Sequence, residues 1–347
     1  MNVPGHRYLF FVTQPYSFAI LRPLQEAIRA AGGEAAWFLH DLPPSHLRPG
    51  ERLLRSVAEV RTYAPRAVFV PGNWVPPFLP GVKVQVFHGF GIEKKGHFRI
   101  RGFFDLYCTH GPLTTLPFRE LAARHGHFEV AETGWPKMDP LFQMDATCVE
   151  APRDDRPLIL FAPTFSPALS GAPLLVETVS RLVRERDWLW LAKFHPKTPA
   201  EWISAYQPLE GARFRISTEA DIVPLLRRAD VLLSDTSSVI AEFLMLDKPA
   251  VTFRHAQPGP HLLDVRNPDE LEAALERALA RPPELLAAAR AFADGMHPWR
   301  DGRSSERVLK ATEAFLAAGG TARLKPKPLN LWRRLQARWR MNYFLPD

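Results

Sequence analysis

Polar side chains are concentrated where an apolar, strand-like run meets a helical pattern. The run Val231 to Leu233 is followed by Ser234, Asp235, Thr236, Ser237 and Ser238. One such residue is enough to cap a helix, and no Glu or Gln stands three residues after any of them to form a capping box. Because a helix N-terminus presents unpaired N–H groups, we expect phosphate at Ser237 and Ser238. Simple N-capping is the competing interpretation.

The helix that follows this cluster carries one nearby acid. Glu242 lies one turn further along, on the same face as Ser238. Its carboxylate either reaches a ribose hydroxyl of a nucleotide or is a solvated surface charge, and the sequence leaves both interpretations open.

Two histidines stand where predicted strands end. His88 follows an apolar run and precedes Gly89, and His195 follows the run from Trp188 and precedes Pro196. Open α/β sheets bind ligands at the carboxyl ends of their strands. A histidine ring there accepts a proton from a hydroxyl near neutral pH, or donates to a phosphate oxygen. One histidine in such a place is often structural, but equivalent positions in two halves indicate a common cleft.

The elements that position these residues alternate along the chain. In the first half, apolar patterning predicts strands at Tyr8 to Val12, Ala35 to Leu39, Ala67 to Val70 and Lys83 to Phe87, with a helix at Ile20 to Ala31. This βαβ rhythm is typical of a parallel sheet covered by helices. The sequence therefore predicts an α/β fold for this half.

The same rhythm restarts after a polar, proline-bearing segment. Predicted elements of the second half are a strand at Leu158 to Ala162, a helix at Leu174 to Arg186, a strand at Trp188 to Lys193, and helices within Asp269 to Ala293 that Pro282 and Pro283 interrupt. We expect one domain over residues 1–150, a second over 151–318, and a separate tail over 319–347.

Composition limits the class of protein. The net charge of +7 favours a polyanionic partner, which is nucleic acid, anionic lipid or a phosphate-bearing substrate. Cys108 and Cys148 give neither a disulfide framework nor a metal cluster. The longest apolar runs are strand-sized, and the N-terminus has no secretory pattern, so we expect a cytoplasmic protein without a membrane span.

The tail is basic and aromatic. Arg323 to Arg340 contains seven Lys or Arg and no acid, while Trp332, Leu335, Trp339 and Tyr343 recur at helical spacing. Either this stripe packs on the body of the protein, or the helix docks on anionic lipid. Recognition signatures of DNA- and RNA-binding folds are missing.

Several familiar chemistries do not fit. The sequence has no P-loop and no Gly-x-Ser-x-Gly elbow, which argues against a P-loop nucleotidase and a serine hydrolase. The pair His125 and His127 is best explained as a surface loop. Lys94 and Lys95 are either a phosphate contact in the loop after His88 or a solvated pair.

An ordered set of motifs resembles the CDP-glycerol glycerophosphotransferase family, the enzymes of teichoic-acid type polymer synthesis. The main match is "DIVPLLRRADVLLSDTSSVIAEFLMLDKPAVTF" (Asp221 to Phe253). The others are "VFHGFGIEKKGHF", "ETGWPKMD", "FAPTF", "KFHP" and "DGRSSERV", in the family's order.

This resemblance implies a GT-B architecture, in which two Rossmann-like domains with parallel sheets face each other across a cleft. It implies transfer of glycerol phosphate from CDP-glycerol to an acceptor hydroxyl, with release of CMP. The acceptor would be a cell-surface glycan or a lipid-linked saccharide, and the enzyme would work at the inner face of the membrane.

Roles carry over by position. His88 would be the general base, while His195 and the helix terminus at Ser237 and Ser238 would hold the donor phosphates. Ser234, Asp235, Thr236 and Glu242 are also expected to contact substrate. Further substrate contacts are expected from Thr164, Lys193, Arg303, Ser304 and Ser305. We expect no cofactor and no obligatory metal, because hydroxyls, N–H groups and a histidine supply the charge stabilisation that phosphoryl transfer needs.

The sequence departs from the family at two places. Phe90 stands where the family has Thr, and Ser166 replaces a basic residue, so the acceptor and the donor head group stay open. Two other functions also remain: a GT-B glycosyltransferase that uses a nucleotide sugar, and a non-catalytic protein that binds the membrane surface.

Overall fold

The chain folds into two compact units. The computed structural model describes residues 5–90, 96–143, 155–219 and 221–344. The first unit contains Met1–Gln143 together with Met296–Asp347, and the second is Met144–Gly295. Lys94, Lys95 and Cys148 lie outside the described residues.

The division differs from the expected domains at its C-terminal end. The first boundary falls between Gln143 and Met144, seven residues before the expected one. The second domain, however, was expected to continue to residue 318, whereas the chain returns to the first unit at Met296. Arg303, Ser304 and Ser305 therefore belong to the unit that contains His88, and not to the unit that contains Ser237 and Ser238.

The N-terminal part of the first unit alternates strands with helices. Its strands are β1 (Arg7–Val12), β2 (Glu34–Leu39), β3 (Arg52–Leu54), β4 (Ala67–Val70), β5 (Val82–Gln85), β6 (Leu106–Thr109) and β7 (Glu129–Glu132). Its helices are α1 (Ser17–Ala30), α2 (Val57–Tyr63), α3 (Pro112–His125) and α4 (Asp139–Phe142). The sheet order is β3-β2-β1-β4-β5-β6-β7, and all of its pairings are parallel.

Burial explains why these residues form this sheet. Strands β4, β5 and β6 are buried along their whole length, as expected for a parallel sheet that is covered on both faces. Helix α1 buries Leu21, Leu24 and Ile28, which share one face. Gly32 follows it with a φ of 84°, a conformation that ends helices and that glycine adopts without strain.

The second unit repeats the pattern. Its strands are β8 (Leu158–Phe161), β9 (Leu189–Ala192), β10 (Phe214–Ile216), β11 (Val231–Ser234), β12 (Ala250–Phe253) and β13 (Leu263–Val265). Its helices are α5 (Ala172–Glu185), α6 (Ala200–Tyr206), α7 (Val223–Arg228), α8 (Val239–Leu244), α9 (Leu271–Leu279) and α10 (Pro283–Met296). The parallel order β10-β9-β8-β11-β12-β13 places four consecutive strand ends, from β9 to β12, along one edge.

Two C-terminal helices complete the first unit, namely α11 (Ser304–Ala317) and α12 (Leu331–Arg340). Helix α11 packs against α1. Its Glu313 accepts a hydrogen bond from the Tyr8 hydroxyl of β1 at 2.8 Å and one from Arg66 at 3.0 Å. These buried contacts join the last part of the chain to the first strand.

Helix α12 lies on the first unit with three residues of its stripe turned outward, whereas the fourth, Tyr343, packs on the core of the unit as one interpretation expected. Ala337 is buried, and Met341 packs on the core of the unit. Trp332, Leu335 and Trp339 are 69%, 42% and 71% exposed. The interpretation that the stripe packs on the body is therefore wrong for these three residues. Among the described helices, none is long and apolar enough to cross a membrane.

Candidate active site

The predicted phosphate cluster lies at the carboxyl edge of the second sheet, where β11 ends. Ser234 is buried, and its hydroxyl donates to the carbonyl of Ala162 at 2.7 Å. Asp235 is also buried, and its carboxylate accepts the backbone N–H of Thr164 at 2.9 Å and that of Gly171 at 3.0 Å. Both side chains are thus committed to the loop after β8. We revise their expected role from substrate contact to positioning of Thr164.

The other three residues of the cluster, Thr236, Ser237 and Ser238, do not contact the loop after β8 in this way. The Thr236 hydroxyl accepts the backbone N–H of Ala256 at 3.0 Å, which ties this loop to the loop after β12. Ser237 is half-buried, and its hydroxyl accepts the Val239 N–H only weakly, at 3.4 Å. Ser238 is exposed and makes no side-chain cap of helix α8. Simple N-capping therefore does not account for Ser238.

Glu242 is 2% exposed, in the first turn of helix α8. The interpretation as a solvated surface charge is therefore wrong. A buried carboxylate at this position is costly unless it is held by hydrogen bonds. Its contact with a ribose hydroxyl stays a prediction.

His195 lies at the end of β9 on the same edge, and its protonation is set by the backbone. Its Nδ1 accepts the N–H of Lys197 at 3.1 Å, so the neutral ring carries its proton on Nε2. The ring stacks on Phe165 of the loop after β8, with centroids 4.4 Å apart. Burial, and then the charges of Lys197 and Lys193, lower the pKa of His195. This histidine is thus a neutral N–H donor at neutral pH.

Lys193 lies on the same loop as His195. Its ammonium group donates to the carbonyl of Glu219. A direct contact of Lys193 with substrate stays a prediction, while its charge already acts on the ring of His195.

His88 lies at the corresponding edge of the first sheet, after β5, and has the opposite tautomer. Its Nδ1–H donates to the carbonyl of Pro71 at 3.0 Å, so the neutral ring keeps its lone pair on Nε2. The ring is exposed and stacks on Tyr16, with centroids 5.6 Å apart. Phe87, just before it, has a φ of 57°, a left-handed conformation that is strained for a bulky residue. A constrained backbone thus presents a basic nitrogen.

Ser304 and Ser305 have another role than the expected one. Their backbone N–H groups donate to the two carboxylate oxygens of Asp139, each at 2.7 Å. Both serines and Asp139 are buried. Because the protein's own carboxylate occupies this helix N-terminus, we revise the two serines from phosphate contacts to a structural joint.

Arg303, just before this joint, is 66% exposed. Its guanidinium lies 3.5 Å from the carboxylate of Glu306, one helical turn later. Arg303 belongs to the first unit and the serine cluster to the second, and a contact of Arg303 with substrate stays a prediction.

Sequence reasoning missed the roles of four residues: Tyr16, Pro71 and Phe165 contact the two edge histidines, and Asp139 holds the N-terminus of α11. Phe165 and Asp139 were inside quoted motifs, and their order along the chain gave no sign of their partners. Pro71 acts through its carbonyl, which no sequence pattern reveals. Tyr16 was visible only as an aromatic residue in the turn after the first strand.

The part of the chain that the structure describes offers no cluster of metal ligands. Those residues contain no group of three or more His, Cys, Asp or Glu side chains that would hold a metal ion. His125 is exposed at the end of helix α3, whereas His127 is only 3% exposed, so the interpretation of this pair as a surface loop is wrong for His127.

Two parallel α/β sheets with polar loops at their carboxyl edges define a protein of the GT-B class. Solved structures agree: the wall teichoic acid polymerase TagF has a TM-score of 0.63 at 16% identity, covering 90% of this chain and 89% of that one. A putative UDP-N-acetylglucosamine 2-epimerase from Listeria monocytogenes has a TM-score of 0.64 at 15% identity, covering 90% and 97%. At these identities the likeness shows the fold alone, and it confirms the predicted class.

The family follows from sequence comparison. Residues 118–313 match the model of the CDP-Glycerol:Poly(glycerophosphate) glycerophosphotransferase family, and the chain belongs to that family. Over 106 residues it is 34% identical to the teichoic acid poly(ribitol-phosphate) polymerase of Bacillus spizizenii. That match covers 29% of this chain and 17% of the longer relative.

Proposed function

We propose that this protein transfers glycerol phosphate from CDP-glycerol to a hydroxyl of a cell-surface glycan or lipid-linked saccharide, and releases CMP. The observation that carries this proposal is that the neutral rings of its two edge histidines have opposite tautomers. His88 offers a lone pair, and His195 offers an N–H group. Acid–base transfer between an alcohol and a phosphate needs one group of each kind.

His88 would act on the acceptor. In the step proposed, the acceptor oxygen attacks the phosphorus that bears glycerol while its proton passes to Nε2 of His88. The new P–O bond replaces the bond to the bridging oxygen of the diphosphate, and CMP leaves with that oxygen. The Nδ1–H bond to the Pro71 carbonyl holds the ring in the tautomer that accepts the proton and stabilises the imidazolium that forms.

The edge of the second sheet would hold the donor. The Nε2–H of His195 and the hydroxyls of Ser237 and Ser238 are hydrogen-bond donors that follow β9 and β11, two strands separated in the sheet by β8 alone. Such donors stabilise negative charge on the equatorial oxygens and on departing CMP. The role of Ser234 and Asp235 is to fix the neighbouring loop, which carries Thr164.

We also propose that the transfer requires no metal ion. Its support is the set of donors just described, which includes a histidine that stays neutral because its pKa is lowered. Neutral donors stabilise the developing charge of a phosphoryl-transfer transition state without a bound cation. The proposal predicts that turnover is unchanged in an excess of EDTA, and a loss that Mg²⁺ restores would contradict it.

The enzyme would work in the cytoplasm, on the inner face of the membrane, through helix α12. This helix is fixed to the first unit by named contacts: Arg333 donates to the carbonyl of Arg101 at 2.7 Å, and the Tyr343 ring lies 4.8 Å from that of Phe78. The opposite face presents exposed Trp332 and Trp339 to solvent. Exposed aromatic residues on a basic amphipathic helix favour the headgroup region of a bilayer.

The surrounding charge fits an anionic surface. Seven Lys or Arg and no acid stand between Arg323 and Arg340. Each basic side chain near an anionic membrane contributes about 1 kcal/mol. A lipid-linked acceptor is concentrated at such a surface, so docking there would bring the enzyme to its substrate.

A donor panel tests the reaction. Purified protein is incubated with a lipid-linked saccharide acceptor and with CDP-glycerol, CDP-ribitol or UDP-N-acetylglucosamine, and the nucleotide product and the modified acceptor are measured. We expect CMP and a glycerophosphate-bearing acceptor from CDP-glycerol. Turnover with CDP-ribitol alone would mean that the transferred group is ribitol phosphate instead of glycerol phosphate. Turnover with only the nucleotide sugar would overturn the proposal in favour of a glycosyltransferase.

A further inference from the structure

The loop after β12 is built onto the serine cluster of the second unit. Strands β11 and β12 are neighbours in the sheet, with Ser234 in register with Thr252. Beyond the strand ends, the backbone N–H of Ala256 donates to the Thr236 hydroxyl at 3.0 Å. The residue just before Ala256 is His255, which is half-buried. The sheet thus places a further histidine beside the proposed phosphate loop.

A buried acid fixes the backbone of this histidine. Asp264 is 8% exposed, and one of its oxygens accepts the N–H of His255 at 2.7 Å and the hydroxyl of Thr252 at 2.8 Å. Its other oxygen pairs with Arg266 at 3.1 Å. Arg254, which precedes His255, has a φ of 54°, so the chain turns sharply there. The position of His255 is therefore defined by several contacts.

The ring of His255 has the same tautomer as that of His195. Its Nδ1 accepts the backbone N–H of Gln257 at 3.1 Å, as the Nδ1 of His195 accepts that of Lys197. In both neutral rings the proton is on Nε2, which is therefore a hydrogen-bond donor. In both loops, the histidine Nδ1 accepts the backbone N–H of the residue two positions later. Both loops of this sheet edge therefore present an Nε2–H group.

The separation of the two strands that precede these histidines fits an extended ligand. Strands β9 and β12 are three places apart in the sheet, which corresponds to about 14 Å at the usual strand spacing. A single phosphate cannot bridge such a span, whereas a nucleoside diphosphate linked to an alcohol is long enough. The hydroxyls of Ser237 and Ser238 lie between the two histidine-bearing strands.

We propose that His255 is a further donor-binding residue, whose Nε2–H donates to an oxygen of the diphosphate of the donor. The inference rests on the proposed function, because it assumes that a nucleoside diphosphate binds at this edge. It assigns a role to a residue outside every motif that carried the family resemblance. His255 and His195 would then contact different parts of one donor molecule.

Two substitutions of His255 distinguish the role of Nδ1 from that of Nε2. In His255→Asn, the side-chain oxygen takes the place of Nδ1 and accepts the Gln257 N–H, but the Nε2–H is lost. In His255→Gln, the amide nitrogen reaches the place of Nε2 and keeps a donor there. Gln257→Ala is the matched control, because it keeps the backbone N–H that His255 accepts. Binding of CDP and of cytidine to each full-length protein is measured by titration calorimetry.

We expect His255→Asn to weaken CDP binding about tenfold and to leave cytidine binding unchanged, since one hydrogen bond to a charged group is lost. His255→Gln should bind CDP close to the wild-type protein and the Gln257 control. Equal CDP affinity in His255→Asn and wild type, or an equal loss for CDP and cytidine, would overturn the inference. If the wild-type protein bound neither nucleotide, the proposed function itself would fail.

Discussion

The carboxylate of Asp139 accepts the backbone N–H of Ser304 at 2.7 Å, and its second oxygen accepts that of Ser305 at the same distance. This contact joins two motifs that lie 165 residues apart in the chain. Removal of the carboxylate in Asp139→Ala leaves two buried N–H groups without their acceptor. We expect the free energy of unfolding to fall by roughly 3 kcal/mol, measured by urea denaturation.

Asp301 provides the matched control for this experiment. It also accepts a backbone N–H near the start of α11, that of Arg303 at 3.1 Å, but it is exposed. Asp301→Ala should therefore cost less than about 1 kcal/mol. An Asp139 variant no less stable than the Asp301 variant would show that the joint does not stabilise the fold.

The long elements of the fold could be predicted from the sequence. Helix α1 shows its buried stripe at helical spacing, and α5 and the strands β8 and β11 were found near their observed bounds. Strands β6 and β7 were not identified. Strand β6 is buried along its whole length and therefore has no alternating pattern that marks a strand, and β7 is a half-buried edge strand of only four residues.

The candidate site was predictable as a set of residues, but not in its contacts. His88 and His195 were found because both follow predicted strands. Their opposite tautomers depend on a carbonyl, that of Pro71, and on a backbone N–H, that of Lys197, which every sequence possesses. Asp139 was quoted only as part of a motif, because a hydrogen bond between distant segments leaves no local pattern.

The stability of the first unit should depend on pH through His297. Its Nε2 accepts the backbone N–H of Trp135 at 2.9 Å, and burial lowers its pKa to about 4. The unfolded chain, with an ordinary pKa near 6.5, binds a proton that the folded protein excludes. Stability is therefore fully present above pH 6.5 and is lost as the pH falls toward 4, by up to about 1.4 kcal/mol for each pH unit.

Substitution His297→Gln tests this dependence. The side-chain oxygen of Gln can still accept the Trp135 N–H, but it does not titrate. As the pH is lowered from 7 to 4, the urea concentration at the unfolding midpoint should fall less steeply for the variant than for the wild-type protein. Parallel curves would mean that His297 does not contribute to acid destabilisation.

The protonation of His195 should respond to its neighbouring lysine. Lys197→Ala removes one of the charges that lower the pKa of His195, and it keeps the backbone N–H that the ring accepts. We therefore expect the pKa of His195 to rise, as followed by NMR titration of its ring protons. Lys310→Ala is the control and should leave this pKa in place, because Lys310 is not one of the charges that act on the ring of His195. An unchanged value in the Lys197 variant would contradict the electrostatic account of the donor edge.

Membrane docking should depend on the outward stripe of α12. The double substitution W332S/W339S removes two exposed aromatic side chains and leaves Ala337, which faces the body, in place. Flotation with phosphatidylglycerol vesicles should show partitioning at least about tenfold weaker than for the wild-type protein. The control is L113S/L116S, which removes exposed apolar side chains of helix α3. Equal flotation of the two double variants would exclude the stripe as the docking surface.

The rate of glycerophosphate transfer by the His88→Asn variant tests most directly the central claim, that His88 is the base. The amide N–H of Asn can still donate to the carbonyl of Pro71, whereas the basic Nε2 is lost. The wild-type protein should release CMP from CDP-glycerol in the presence of acceptor, and the variant should be slower by at least about 100-fold. Both proteins should bind CDP with the same affinity. Release of CMP by His88→Asn within tenfold of the wild-type rate would contradict the assignment of His88 as the base.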